Sequence, residues 1–162
     1  MTELPRKSQT YNPPNVPAPQ PQFSQVNTFT FSPGDTLVAV TGQLAIPPPN
    51  NNPNKNSEAE EQSTPQNFED QVRLALSNLE NCLKAVGARK RDIFKVTHHV
   101  VDFDPVKQNP SRVFIEWLED EDGDGDDVGE FRPASAMLPA WRLAGEEWKY
   151  EIETWAIIPG RR

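Results

Sequence analysis

The sequence predicts an α+β domain: a mostly antiparallel sheet with two helices on one face, in the order β-β-α-β-α-β-β. Two periodicities and the length lead there. Residues 68–86 repeat apolar side chains every three or four positions, whereas 27–31, 36–41 and 92–103 alternate or run β-branched. The chain has 162 residues, which suits one core, because independent domains need on the order of 100–150 residues each.

Taken in order, the chain opens on an arm with no apolar period. Of the 17 prolines, 11 fall in residues 1–22 and 47–65, and neither stretch could bury enough surface to offset the ordering of its chain. The first is expected to be a disordered arm and the second a loop insertion in a single domain spanning 23–158, followed by a tail at 159–162. Asn27 to Phe31 then alternates, with Phe29 and Phe31 on one side. Ser32-Pro33-Gly34-Asp35 has the proline and glycine of a type II turn, and Thr36 to Thr41 follows as a second strand, so the two are expected to form a hairpin.

Phe68, Val72, Ala75, Leu76, Leu79, Leu83 and Val86 form one stripe of a long amphipathic helix. Thr64 before Pro65 is the expected N-cap, and Gly87 the left-handed residue beyond the end. Asp92 to Phe103 predicts a strand. Asn109-Pro110 opens a shorter helix whose buried side is Val113, Phe114, Trp117 and Leu118. Two last strands, Ala134 to Leu143 and Trp148 to Ile158, are joined by a Gly-containing turn. Helices on one face leave the other face of the sheet to be covered, and Trp141, Trp148 and Trp155 offer more apolar area than a solvated face would carry, so self-association is the simplest cover.

The charge pattern excludes several functions. Net charge is −8, and Glu116, Glu119, Asp120, Glu121, Asp122, Asp124, Asp126, Asp127 and Glu130 put nine acids into fifteen residues without a cation among them. Residues 119–130 are expected to form an exposed acidic insertion. Neither nucleic acid nor an anionic membrane suits such a surface. A single cysteine, Cys82, rules out an internal disulfide and a Cys-based metal site, and no apolar run reaches the roughly 18 residues of a span. A cytoplasmic location is the default expectation.

Three tempting motifs have plainer readings. His98 and His99 are neighbours on a strand and point to opposite faces, so they cannot readily share one ion. Asp120, Asp122, Asp124 and Gly125 mimic the start of a calcium loop, but Phe131 stands where its bidentate glutamate belongs. Cys82 lies beside the apolar stripe and is expected in the core. No metal and no cofactor is expected.

Five motifs occur in order at fitting distances. They are Phe23-Ser24-Gln25; Thr41-Gly42-Gln43; Gln71, Ala75, Leu76, Asn78 and Leu79; Asp92-Ile93-Phe94-Lys95-Val96-Thr97 with Val100 and Asp102; and Arg132-Pro133-Ala134 with Tyr150-Glu151-Ile152-Glu153. Together they resemble the RidA (YjgF) family from Phe23 to Ile157. The resemblance implies a RidA/chorismate-mutase-like fold and a homotrimer with three small-molecule clefts between subunits. There, family members hydrolyse reactive enamines or imines to 2-oxo acids and ammonia.

Carried over residue by residue, the family's substrate-binding arginine falls on Ser135. Its frequent cysteine falls on Met137, its aromatic lead residue on Phe23, its backbone donors near Gly42, and its water-positioning acid on Glu151. An arginine fork grips a carboxylate with two charge-assisted bonds, and a serine cannot. Arg132 and Arg142 lie at odd offsets from Ser135 and are not simple replacements. Ser135 also lacks the G-x-S-x-G context of a nucleophile. The resemblance therefore implies an imine or enamine deaminase of altered preference. A ligand-binding or assembly module without turnover on the same trimer is the alternative. An acid in a strand is also commonly just a cross-strand partner, the plainer reading of Glu151.

Overall fold

A computed structural model describes residues 8–16, 18, 21, 23–48, 63–120 and 132–160. Its elements are β1 (Ser8–Tyr11), β2 (Val26–Phe29), β3 (Thr36–Leu44), α1 (Phe68–Ala85), a 3-10 turn (Lys90–Asp92), β4 (Ile93–Val101), α2 (Ser111–Glu119), β5 (Ala134–Ala140) and β6 (Tyr150–Ile158). The main sheet has four strands in the order β3-β6-β4-β5, and β1 with β2 makes a separate two-stranded ribbon. β6 runs antiparallel to both β3 and β4, whereas β4 and β5 are parallel. A parallel pair needs a crossover, and α2 supplies it.

Both helices cover one face. The buried side of α1 is Val72, Ala75, Leu76, Leu79 and Leu83, and that of α2 is Val113, Phe114 and Leu118; they meet Ile93, Val96, Val100, Tyr150, Ile152 and Ala156 of the sheet. Each such side chain contributes about 1.5–3 kcal/mol through removal from water. Alternation along β6 then turns Glu151, Glu153 and Trp155 to the other face.

The long helix starts three residues later than Pro65. Asn67 is the N-cap, its Oδ1 accepting from the amides of Glu69 at 2.8 Å and Asp70 at 3.3 Å. Thr64 is engaged elsewhere, because its hydroxyl accepts from the Trp148 indole at 3.2 Å. The C-terminal end is as expected: Gly87 has φ 76°, and Ala88 and Gly87 donate to the carbonyls of Leu83 and Lys84. At the end of α2 the buried Lys90 ammonium donates to the carbonyls of Trp117 and Asp120, at 2.7 and 2.8 Å, satisfying groups the helix leaves open.

Three expectations change. The turn at Ser32–Asp35 forms, with Asp35 donating to the Ser32 carbonyl at 3.1 Å and Gly34 at φ 91°, but its flanking strands do not pair. The Asp35 carboxylate also accepts from Gly160 at 2.8 Å and so ties the turn to the end of β6, with which β3 pairs instead. β2 pairs with Ser8–Tyr11, a strand inside the arm expected to lack regular structure. The last two strands are not neighbours either, because β4 lies between β5 and β6.

The tryptophans divide. Trp141 is 96% exposed and Trp155 43%, while Trp148 is half-buried. Cys82 is also half-buried rather than fully in the core. Most of the 47–65 insertion and of the acidic run at 119–130 lies outside the described residues. No described helix is long and apolar enough to cross a membrane.

Candidate functional site

β3 carries a bulge where the motif Thr41-Gly42-Gln43 falls. Val40 stands opposite Thr154 and Gln43 opposite Ile152, so Thr41 and Gly42 share a single partner position on β6. A bulge takes backbone groups out of the ladder and re-aims the side chains beyond it. Here the Glu151 carboxylate lies directly over Gly42, and a Cβ at 42 would collide with it. Gly42 and Glu151 are thus brought together on the helix-free face, with Glu151 opposite Leu44 on one side and His99 on the other. His99 Nε2 is 3.9 Å from Glu153 Oε1, which extends the polar row along the same face.

Ser135 and Met137 are elsewhere. Ser135 stands opposite Val96 and Met137 opposite His98, both buried beneath the helices, so these two residues share the helix-covered face. Met137 packs against the core. Ser135 is half-buried, because β5 is an edge strand. Phe23, also half-buried, precedes β2, and the Arg132 guanidinium nearby donates to the Pro21 carbonyl at 3.1 Å and to Glu119 at 2.6 Å. Arg132 therefore ties the arm to the start of β5 rather than replacing the missing cation. Arg142 is exposed and 3.9 Å from Glu146.

Gly42 lies on the β3 edge of the main sheet with Glu151 beside it on the inner strand β6, Ser135 and Met137 lie on the β5 edge, and Phe23 precedes β2 outside that sheet. β3 and β5 are separated by β6 and β4, three strand spacings or roughly 14 Å. One chain brings Gly42 to Glu151 and does not bring either to Ser135 or Met137.

Two residues that position the first group were not legible as such. Gln71 is buried and uses both donors of its amide and one acceptor direction: Nε2 donates to the carbonyls of Pro65 and Glu147, each at 2.8 Å, and Oε1 accepts from the Lys149 amide at 2.8 Å. Asn78 donates to the carbonyls of Leu44 at 2.9 Å and Ile46 at 2.8 Å. One amide holds the start of β6, which carries Glu151, and the other the end of β3, which carries Gly42. The available signal was that both stand in the helix motif quoted for the family resemblance, as uncharged amides beside an apolar stripe.

His98 is also not a surface group. It is buried, its Nδ1 2.8 Å from the Tyr150 hydroxyl and its ring edge-on to Phe114. Burial first, then the nearby charges of His99 and Lys95, push its pKa down from 6.5 to about 3, so it is a neutral core residue. Burial raises the Tyr150 phenol well above its ordinary range. The described residues gather no group of three His, Cys, Asp or Glu able to hold a metal ion.

Residues 14–158 match the family model described as Endoribonuclease L-PSP. No curated protein matches the chain significantly. Solved structures do. The Rid-family protein YyfB of Yersinia pestis, whose function is unknown, superposes with a TM-score of 0.70 at 20% identity, covering 94% of this chain and 99% of its own. A YjgF-family protein from Neisseria meningitidis gives 0.55 at 19% identity over 88% and 92%. A member of the YjgF/YER057c/UK114 family from Mycobacterium tuberculosis gives 0.54 at 20% identity over 75% and 79%. At these identities the likeness is one of fold.

Proposed function

Because the chain belongs to the Endoribonuclease L-PSP family, the RidA/YjgF group, we propose that it works as a homotrimer with small-molecule clefts between subunits. In each cleft, Gly42 and Glu151 of one chain face Phe23, Ser135 and Met137 of the next, and the ligand is a small imine or enamine without an obligatory carboxylate. The observation that carries this reading is the Glu151 carboxylate seated over Gly42 at the β3 bulge, with Ser135 and Met137 on β5 at the opposite edge. A head-to-tail contact between unlike edges completes the site and closes into a ring.

In this cleft Glu151 orients a water and accepts its proton as the oxygen attacks the imine carbon. Backbone donors near Gly42 stabilise the charge that develops, and the proton passes to nitrogen to give a carbinolamine; the carbinolamine hydroxyl proton then follows through Glu151 to nitrogen as the C–N bond breaks, so ammonia leaves and the carbon becomes a carbonyl. Ser135 offers a carboxylate no charge-assisted fork. The loss of such a bond weakens carboxylated substrates roughly tenfold to a hundredfold relative to an arginine-bearing site. Cleavage of RNA is not proposed: the net charge of −8 and the acids between 116 and 130 would repel the phosphate backbone.

The test compares hydrolysis of 2-aminoacrylate generated in situ with that of a neutral imine of similar size. The native protein is expected to accelerate the neutral imine more, Glu151→Gln to abolish the effect, and Ser135→Arg to shift preference toward the carboxylated substrate. No acceleration of either substrate by the native protein would end the enzymatic reading. A binding or assembly module without turnover would then stand in its place.

A further inference from the structure

The arm before β2 carries Pro13, Pro14, Pro17, Pro19 and Pro21, and a proline has no N–H to donate. Such a residue is fastened to its surroundings through its carbonyl, by a donor from elsewhere in the chain. For Pro21 that donor is Arg132. Its Nε donates to the Pro21 carbonyl at 3.1 Å, and its Nη2 donates at 2.6 Å to the carboxylate of Glu119, the last residue of α2. The Arg132 side chain is only 14% exposed, so both charge-assisted bonds form largely out of water. A planar guanidinium reaches a carbonyl and a carboxylate at once from one rigid fork, which a lysine ammonium does not. Pro133 disfavours helical backbone at Arg132 and so narrows the directions in which that fork can leave the chain.

The clamp closes beside two residues of the candidate cleft. Phe23 follows Pro21 by two residues, at most about 7 Å of chain. Ser135 follows Arg132 by three, roughly 10 Å of extended strand. Phe23 is half-buried and Ser24 buried, so the chain leaving the clamp lies on the domain rather than in solvent. One side chain thus limits the spacing between Phe23, which precedes β2, and Ser135, which is built into β5.

We infer that Arg132 is a positioning residue of the cleft, an assignment that rests on the inter-subunit site proposed above. It holds Phe23 beside Ser135 as one preformed wall, and that wall meets Glu151 of the next chain. Arg132 acts through Phe23 on ligand binding and takes no part in proton transfer, so its loss is felt in KM rather than kcat.

Two measurements on the full chain test this: steady-state hydrolysis of a neutral imine, and hydrogen exchange at the amides of Phe23 and Ser24. Arg132→Met, which keeps an apolar stem, should raise KM about tenfold, the worth of one charge-assisted hydrogen bond, while kcat stays within about twofold. Exchange at both amides should quicken by about the same factor. Arg132→Lys, a point charge in place of a fork, should lie between the two proteins, and it carries the same readouts if Arg132→Met does not fold. The wall and Glu151 come from different chains, so trimers co-assembled from Arg132→Met and Glu151→Gln chains should regain a component of native KM. A fall in kcat with KM unchanged, exchange as slow as in the native protein, or co-assembled trimers that keep the KM of Arg132→Met would overturn the assignment. A native protein inactive on neutral and carboxylated imines alike would end the cleft reading instead, and exchange at Phe23 and Ser24 would then decide whether Arg132 holds the arm.

Discussion

Gly42 is needed for the space it leaves, not for a left-handed backbone. The Glu151 side chain fills that space, and because it is the end of a flexible chain, it can swing away when a methyl group arrives. Gly42→Ala should therefore cost about 1 kcal/mol of stability or less. Displacing the acid should nonetheless cut cleft activity on the order of 100-fold, since small misplacements of a reacting group are expensive. Thermal unfolding and rate measurements on one preparation check both parts. His98 makes the opposite case, a titratable residue whose role is packing. Its folded-state pKa, about 3, lies below its ordinary 6.5, so the stability it confers is complete above 6.5 and is lost as pH falls toward 3. Urea unfolding should show stability falling between pH 6.5 and 5 by up to about 1.4 kcal/mol per pH unit. In His98→Leu that slope should vanish, although the variant starts about 1–3 kcal/mol lower because the Tyr150 hydroxyl loses its partner.

At the scale of elements, α1 organises the sheet ends through two amides. Gln71→Leu should cost about 3 kcal/mol or more, because it leaves two carbonyls and one amide without their partner. Asn67→Ala should cost about 1 kcal/mol and Thr64→Ala distinctly less, the order reversing if the helix began at Pro65. Chemical denaturation reads each. The stripe from Phe68 to Leu83 and the β-branched run of β4 were legible because amphipathic period is a local property. The N-cap moved to Asn67 because several polar residues compete there and tertiary contacts decide: Trp148 occupies Thr64. The pairing of β2 with β1, and of β3 with β6, was not legible. A turn motif specifies where the chain reverses, and Asp35 reaching Gly160, 125 residues away, decides which strand lies alongside. The site was legible as a set of residue types at motif positions, but not as two groups, since strand order alone puts Ser135 on one edge and Gly42 on the other.

For the whole molecule, that division is the central fact. A face with Leu37, Leu138 and Trp155 all more than 40% exposed, and two unlike edges each bearing part of one candidate site, describe an incomplete object. In the proposed trimer a partner copy would supply what each edge lacks, and a ring of three would satisfy every edge. The proposal makes assembly a condition of function, so dilution that dissociates the ring should abolish cleft activity while leaving the fold of each chain intact. Sedimentation equilibrium of the full chain at micromolar concentration tests this most directly. A single species of three chains' mass, unchanged as concentration is varied, is the predicted result; a monomer at every concentration would contradict it.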